Sequence, residues 1–167
     1  LKGEALFVRA FIHLHLVNLF GDIPYVTTTD HNINRQVSRM PSTTVYERII
    51  ADLEEAQQLL PETYVSAERV RPNRFAALAL LARAYLYIGA YAEASNAASA
   101  VINSSLYVWE PDLNKVFLKG STTTIWQFMP NATGANTAEG GLYIFVAGPP
   151  VVVGLRNEFV NAFATND

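Results

Sequence analysis

The sequence predicts a mainly α-helical fold, an α-α superhelix of antiparallel helix pairs with an irregular region of loops and short strands C-terminal to them. Three observations point to it. Four segments, at about 2–20, 44–60, 73–88 and 91–104, carry apolar residues at helical spacing. The third and fourth are separated by little more than Gly89, so they form a helical hairpin. After Ser105 the helical period gives way to short apolar runs broken by Gly, Pro and Asn.

The first helix, 2–20, has Leu6, Ala10, Leu14 and Val17 at spacings of three and four, flanked by Phe7, Phe11 and Leu16, and Gly21 and Pro24 end it. Glu4, Arg9 and His13 fall close together on it, as a structural polar cluster. His13 and His15 point to different helix faces, which argues against a shared metal. Residues 23–40 read as a surface linker with one short extended piece at 24–28. The second helix, 44–60, opens on a Thr44/Glu47 capping box and buries Val45, Ile49, Leu53, Ala56 and Leu60. Its charged residues form the outer face, where Arg48 and Asp52 make a surface pair. Pro61 closes it, and 62–71 is a polar connector.

In the hairpin, residues 75–88 are apolar on nearly every side with Arg83 as the single charge, which marks a helix buried on more than one face. The partner helix places Tyr91, Ala94, Ala98 and Val101 on one stripe. Leu81, Ala82, Tyr85, Gly89, Tyr91, Ala94, Ala98 and Val101 together resemble the framework of a tetratricopeptide repeat, with small residues at the close approaches and tyrosines in the gaps. A unit of this kind needs neighbours to bury its faces. Helices 2–20 and 44–60 supply one, joined by a long inserted connection. Beyond them, 107–109 reads as extended, 112–118 as one or two helical turns, 124–129 (TIWQFM) as a strand, 130–141 as a loop, and 155–163 as a short helix with Leu155, Phe159 and Phe163 on one face. The domain division is therefore 1–105 for the helical scaffold and 106–167 for a loop-rich part of the same domain.

Composition narrows the function. The chain has 167 residues, half of them hydrophobic, enough for one domain with a real core. A net charge of −3 and no Lys/Arg cluster exclude nucleic acid as a partner. The absence of cysteine excludes thiol catalysis, disulfides and Cys-based metal sites, and no metal or cofactor is expected. No apolar run reaches the roughly 20 residues that cross a bilayer, and no signal-peptide pattern opens the chain. The pattern begins inside a helix without a start methionine, so a piece of a longer protein is expected.

The ordered motifs resemble the SusD/RagB family of outer-membrane nutrient-binding lipoproteins. GEALFVRAFIHLHLVNLFGDIP at 3–24 resembles its first-helix signature, with Gly3-Glu4, Arg9-Ala10 and Gly21-Asp22, and VYERIIADLEEAQQLLP at 45–61 resembles its second. The hairpin, the order Phe117, Ile125, Trp126 and the short helix at 155–163 are similar to the family's later elements. The resemblance implies non-catalytic capture of oligosaccharides or related nutrients at the outer-membrane surface, as part of polysaccharide utilisation, and delivery to a SusC-like TonB-dependent transporter. It implies attachment to the membrane only through a lipid anchor that this chain does not contain.

Sugars are held by aromatic faces against the apolar side of the ring and by amides at the hydroxyls. Trp109, Gln127, Asn131, Asn136 and Tyr143 offer that chemistry where the backbone is least regular. Trp126, between Ile125 and Phe128, reads as core. A generic tetratricopeptide adaptor is the alternative, but it predicts further repeats directly after Asn103. Glu110, Asp112, Glu139 and Glu158 are carboxylates that no regular element places face to face, so a glycosidase is not expected.

Overall fold

A computed structural model describes residues 1–130, 154 and 156–162. The chain divides into two compact units, Leu1–Gln127 and Phe128–Asp167. In the first unit the helices are α1 (Lys2–Phe20), α2 (His31–Asn34), α3 (Ser42–Leu59), α4 (Arg74–Tyr87) and α5 (Tyr91–Ile102), and in the second a single turn of helix, α6, spans Asn157–Val160. Leu155 and Phe163, expected to share a face with Phe159, lie outside the described residues.

Helix α1 pairs with α3, α4 pairs with α5, and α3 packs against α4, so the two pairs stack side by side. The core is continuous through the stack: Phe7, Leu14, Val45, Ile49, Leu53 and Leu81 are almost wholly removed from solvent. Alanines make the approach close. Ala10, Ala56, Ala77 and Ala84 are fully buried, and α4 is buried on two faces because α3 and α5 flank it. Gly3 marks another close approach, since a Cβ there would sit 3.0 Å from Leu59 Cβ and 3.1 Å from Leu60 Cγ. Gly21 and Gly89 end α1 and α4 at φ 71° and 78°, a conformation that L side chains rarely adopt.

On α5 the buried residues are Ala94, Ala97 and Val101. Tyr91, expected on that stripe, is 69% exposed, because it stands at the first turn, beyond the end of α4. It lines an open groove of about 480 Å³ with Ala82, Leu86, Tyr87 and Ala98. Tyr85 does pack between helices, and its hydroxyl donates to Glu54 Oε1 at 2.7 Å. Burial and that carboxylate push the Tyr85 phenol up to about 12.

The polar residues of α1 are tied inward. The Arg9 guanidinium holds Asp52 through two bonds of 2.6 Å, and the Tyr25 hydroxyl donates to the same carboxylate at 2.6 Å. Asp52 is therefore buried, with its partner across the helix interface, and the surface pair with Arg48 does not form. His13 stacks on Tyr25 at 4.1 Å, and its Nδ1–H donates to the Arg9 carbonyl at 2.8 Å. Glu4 accepts two bonds from Arg71, at 2.7 and 2.8 Å. These pairs account for α1, whose mean hydropathy of 1.2 over an 18-residue window would suffice for a membrane span by length and composition, contrary to the expectation from the sequence. Seven buried residues and three ion pairs, from Lys2, Glu4 and Arg9, make it a helix of the stack.

The connection from α1 to α3 closes on itself. The Met40 N–H donates to the Ile23 carbonyl at 3.1 Å, an isolated antiparallel bridge, and the Asp22 carboxylate accepts the Ser42 N–H at 2.8 Å. Helix α3 thus starts at Ser42, capped from a distance by Asp22. Thr44 lies too far inside for the expected capping box, and no side chain of the cap residue, Pro41, takes part. The linker also holds α2, capped by Asp30 accepting the Asn32 N–H at 2.8 Å.

Candidate ligand-binding site

The connector at 62–71 is the strip onto which residues 106–127 dock. Trp126 Nε1–H donates to the Val70 carbonyl at 2.9 Å, and its ring meets the faces of Phe7 and Phe11 edge-on at 5.0 and 5.1 Å. Trp126 is thus a packing residue, as its neighbours suggested. Gln127 donates through Nε2 to the carbonyls of Glu68 at 2.7 Å and Lys119 at 3.0 Å. No strand exists among the described residues, and 124–129 has no ladder partner. Its bonds go to connector carbonyls, which replaces the strand read from TIWQFM.

A directed chain of hydrogen bonds underlies this docking. Asn73, fully buried, caps α4 by accepting the Ala76 N–H at 3.0 Å, and its Nδ2 donates to Tyr107 at 3.2 Å. The Tyr64 hydroxyl gives its one proton to the Ile125 carbonyl, so the 2.8 Å bond between the two tyrosines must run from Tyr107 to Tyr64. Burial, followed by the Tyr107 hydroxyl, pushes the Tyr64 phenol well above its ordinary range. Arg69 stands beside it, its guanidinium 5.1 Å from the Tyr64 ring centre and 5.7 Å from that of Tyr107.

The outward side of the docked segment is apolar. Trp109 is 80% and Phe117 97% exposed, with Leu113 at 81% between them. Residues 112–121 form a succession of tight turns in which Lys115, Leu118 and Ser121 each donate to the carbonyl three residues back, where one or two helical turns were expected over 112–118. Phe117 and Val116 form one side of an open cleft of about 370 Å³, and Thr123, Thr124, Ile125, Trp126 and Gln127 form the rest. The carboxylates nearby are engaged in local turns. Glu110 accepts the Asp112 N–H at 3.1 Å, and Asp112 accepts from Asn114 and pairs with Lys115 at 3.3 Å. Those Asn114 bonds, backbone first, hold the Asp112 carboxyl below its usual range.

Of the five residues singled out in the sequence, Gln127 lines the cleft. Trp109 lies on the same docked segment but does not line it, anchored at its flanks by Val108 and Glu110, which bond to Thr122 and Thr123. Asn131, Asn136 and Tyr143 lie outside the described residues. Phe117 was missed as a site residue, because it sits inside the apolar run Val116-Phe117-Leu118, which gives no sign that its ring faces out. Among the described residues, no group of three or more His, Asp or Glu side chains is arranged to hold a metal ion.

Two stacked helix pairs with an irregular segment docked along the connector between them define an α-helical protein of TPR-like helix pairs. Comparison with known proteins is specific. The chain belongs to the SusD-like family, whose model, described as starch-binding associating with outer membrane, matches residues 1–86. It is 35% identical to SusD-like protein P2 of Formosa agariphila over 168 residues, an alignment covering 96% of this chain and 32% of that protein. The chain therefore spans about a third of the length of this curated relative. A SusD superfamily protein from Bacteroides vulgatus superposes with a TM-score of 0.69 at 26% identity, over 77% of this chain and 28% of that one. A laminarin-binding SusD-like protein superposes with a TM-score of 0.64 at 26% identity, over 68% of this chain and 26% of that one.

Proposed function

We propose that this chain is part of a non-catalytic, surface-exposed glycan-binding protein of the outer membrane, which passes oligosaccharides or related nutrients to a SusC-like TonB-dependent transporter. One observation carries the reading: Trp109 and Phe117 present bare aromatic faces on a segment tied to the connector by the Trp126 and Gln127 side chains and by the carbonyls that Arg69 holds. With the backbone anchored, only the aromatic side chain itself has to be ordered when a pyranose ring stacks on it. The Thr124 hydroxyl and the Gln127 Oε1 border the cleft beside Phe117 as groups that can meet a sugar's hydroxyls, while the Gln127 Nε2 and the Thr123 hydroxyl are committed to holding the segment. A solved relative at 26% identity binds laminarin, which makes that glucan the first probe. Glu110 and Asp112 are committed to turn bonds, which supports binding without hydrolysis. Asn131, Asn136 and Tyr143 are proposed as further ligand-binding residues.

The test is affinity electrophoresis of the full-length protein in laminarin and starch gels, with Trp109→Ala, Phe117→Ala and Tyr143→Ala. Each substitution should weaken binding by about tenfold. For Trp109 and Phe117, which are exposed, the melting temperature should stay unchanged. Unaltered migration of all three would overturn the assignment of this surface, and release of reducing sugar would overturn the non-catalytic reading. Failure to co-purify with a barrel transporter would remove the delivery step.

The alternative, a protein-docking scaffold, has one observation behind it, the open groove beside Tyr91. Tyr91→Ala would abolish partner binding on that reading and leave glycan retardation untouched on ours.

A further inference from the structure

Arg69 is the one non-glycine residue among those described with a positive φ, 54°. A side chain held in that conformation persists where its surroundings over-determine it. The surroundings here are specific. The guanidinium donates to the carbonyls of Leu106 at 3.3 Å, Thr122 at 3.1 Å and Thr124, while the Arg69 carbonyl accepts the Gln127 N–H at 3.3 Å. These acceptors are spread along the whole docked segment. Leu106 precedes the strip that carries Trp109, Thr122 bonds back to Val108, and Thr124 is part of the cleft wall. One planar fork thus gathers both ends of the segment to a single point behind the ligand-facing side.

We propose that Arg69 is the positioning residue of this surface: by drawing three backbone carbonyls together it sets the spacing between the Trp109 strip and the cleft beside Phe117, and with it the affinity for a saccharide that uses both. The inference rests on the glycan-binding reading above. The fork is what matters. Lysine has the charge and three N–H donors, but on a single nitrogen, so it cannot span from the Thr122 and Thr124 carbonyls to that of Leu106, which Nη1 and Nη2 of the guanidinium serve separately. Glycine adopts φ 54° without strain and reaches none.

The experiment uses the full-length protein with Arg69→Lys and Arg69→Gly. Hydrogen exchange read by mass spectrometry should accelerate in peptides covering 106–127 in both variants, and not in peptides of α1 or α3. Laminarin should bind roughly tenfold more weakly to both. Millimolar guanidinium should restore protection and affinity to Arg69→Gly, whereas methylammonium should restore neither. A merely structural role predicts a lower melting temperature with laminarin affinity of the folded protein intact, and that result overturns the proposal, as does unchanged exchange in 106–127. If the wild-type protein binds no glycan, the function proposed above falls, and exchange with its guanidinium rescue alone decides whether Arg69 sets the geometry of this segment.

Discussion

The α1–α3 pair and the docked segment at 106–127 are held in place by different kinds of bond. In the helix pair, partners are side chains on both sides: Arg9 with Asp52, Tyr25 with Asp52, Lys2 with Glu55. In the docked segment, the longest-range bonds run from side chains to backbone carbonyls, from Arg69 to Thr122, Trp126 to Val70 and Gln127 to Glu68. A side-chain pair constrains the sequence at both ends. A side-chain-to-carbonyl bond constrains one end and leaves the accepting residue's own side chain unspecified. The first arrangement fixes a scaffold, and the second leaves the accepting residues' side chains free to vary.

The sharpest way to break this contrast is Asp52→Ala, which leaves the Arg9 guanidinium and the Tyr25 hydroxyl without their shared acceptor. Loss of about 2–3 kcal/mol is expected in urea denaturation, discounted because the Arg9 side chain is 28% exposed. Exchange in 106–127 should stay as in wild type when measured well below the transition. Gly3→Ala should cost about 1–2 kcal/mol, because its Cβ meets Leu59 Cβ at 3.0 Å and the helices must part. Seryl substitution at the same place should cost at least as much, whereas a lower cost would mean that α1 and α3 can slide.

The smallest expected effect is titration of Glu4. The Arg71 hydrogen bond, offset in part by burial, holds its carboxyl below the usual 4.5. A carboxylate with a depressed pKa in the folded state stabilises above its unfolded value and stops doing so as pH falls through the folded one. Melting temperature should therefore decline from about pH 4.5 downward, and Glu4→Gln should flatten that part of the curve. An unchanged slope would assign the acid sensitivity to other carboxylates.

Much of the scaffold was legible in the sequence, because helix positions follow from apolar spacing and from glycines that the structure finds at positive φ, Gly21 and Gly89. Partner choice was less so. Arg48 and Asp52 stand at helical spacing, yet Asp52 goes to Arg9, 43 residues away, because burying α3 against α1 removes it from the face Arg48 occupies. Thr44 and Glu47 spell a capping box, but Asp22 takes the first free N–H of the helix and moves its start to Ser42. The β-prone run TIWQFM has Ile125 and Trp126 packed on the core while Gln127 bonds to the connector, and one strand-like run carries no information about whether a second strand exists. Among site residues, Gln127 reached the cleft and Phe117 was overlooked, since exposure of a large apolar side chain is visible only once its neighbours have turned away.

The closure of the α1–α3 connection bears on how such a chain diversifies. Asp22 on Ser42 and Ile23 on Met40 act like a drawstring at the neck of a pouch. With the neck tied, the closing entropy of whatever lies between grows only slowly with its length. Residues 27–39, beyond the buried Tyr25, are therefore a place where chain can be lengthened, shortened or exchanged while the two helices that flank it stay in register. A peptide tag inserted beside Ile33, which is 55% exposed, would test the proposed surface exposure without touching the core.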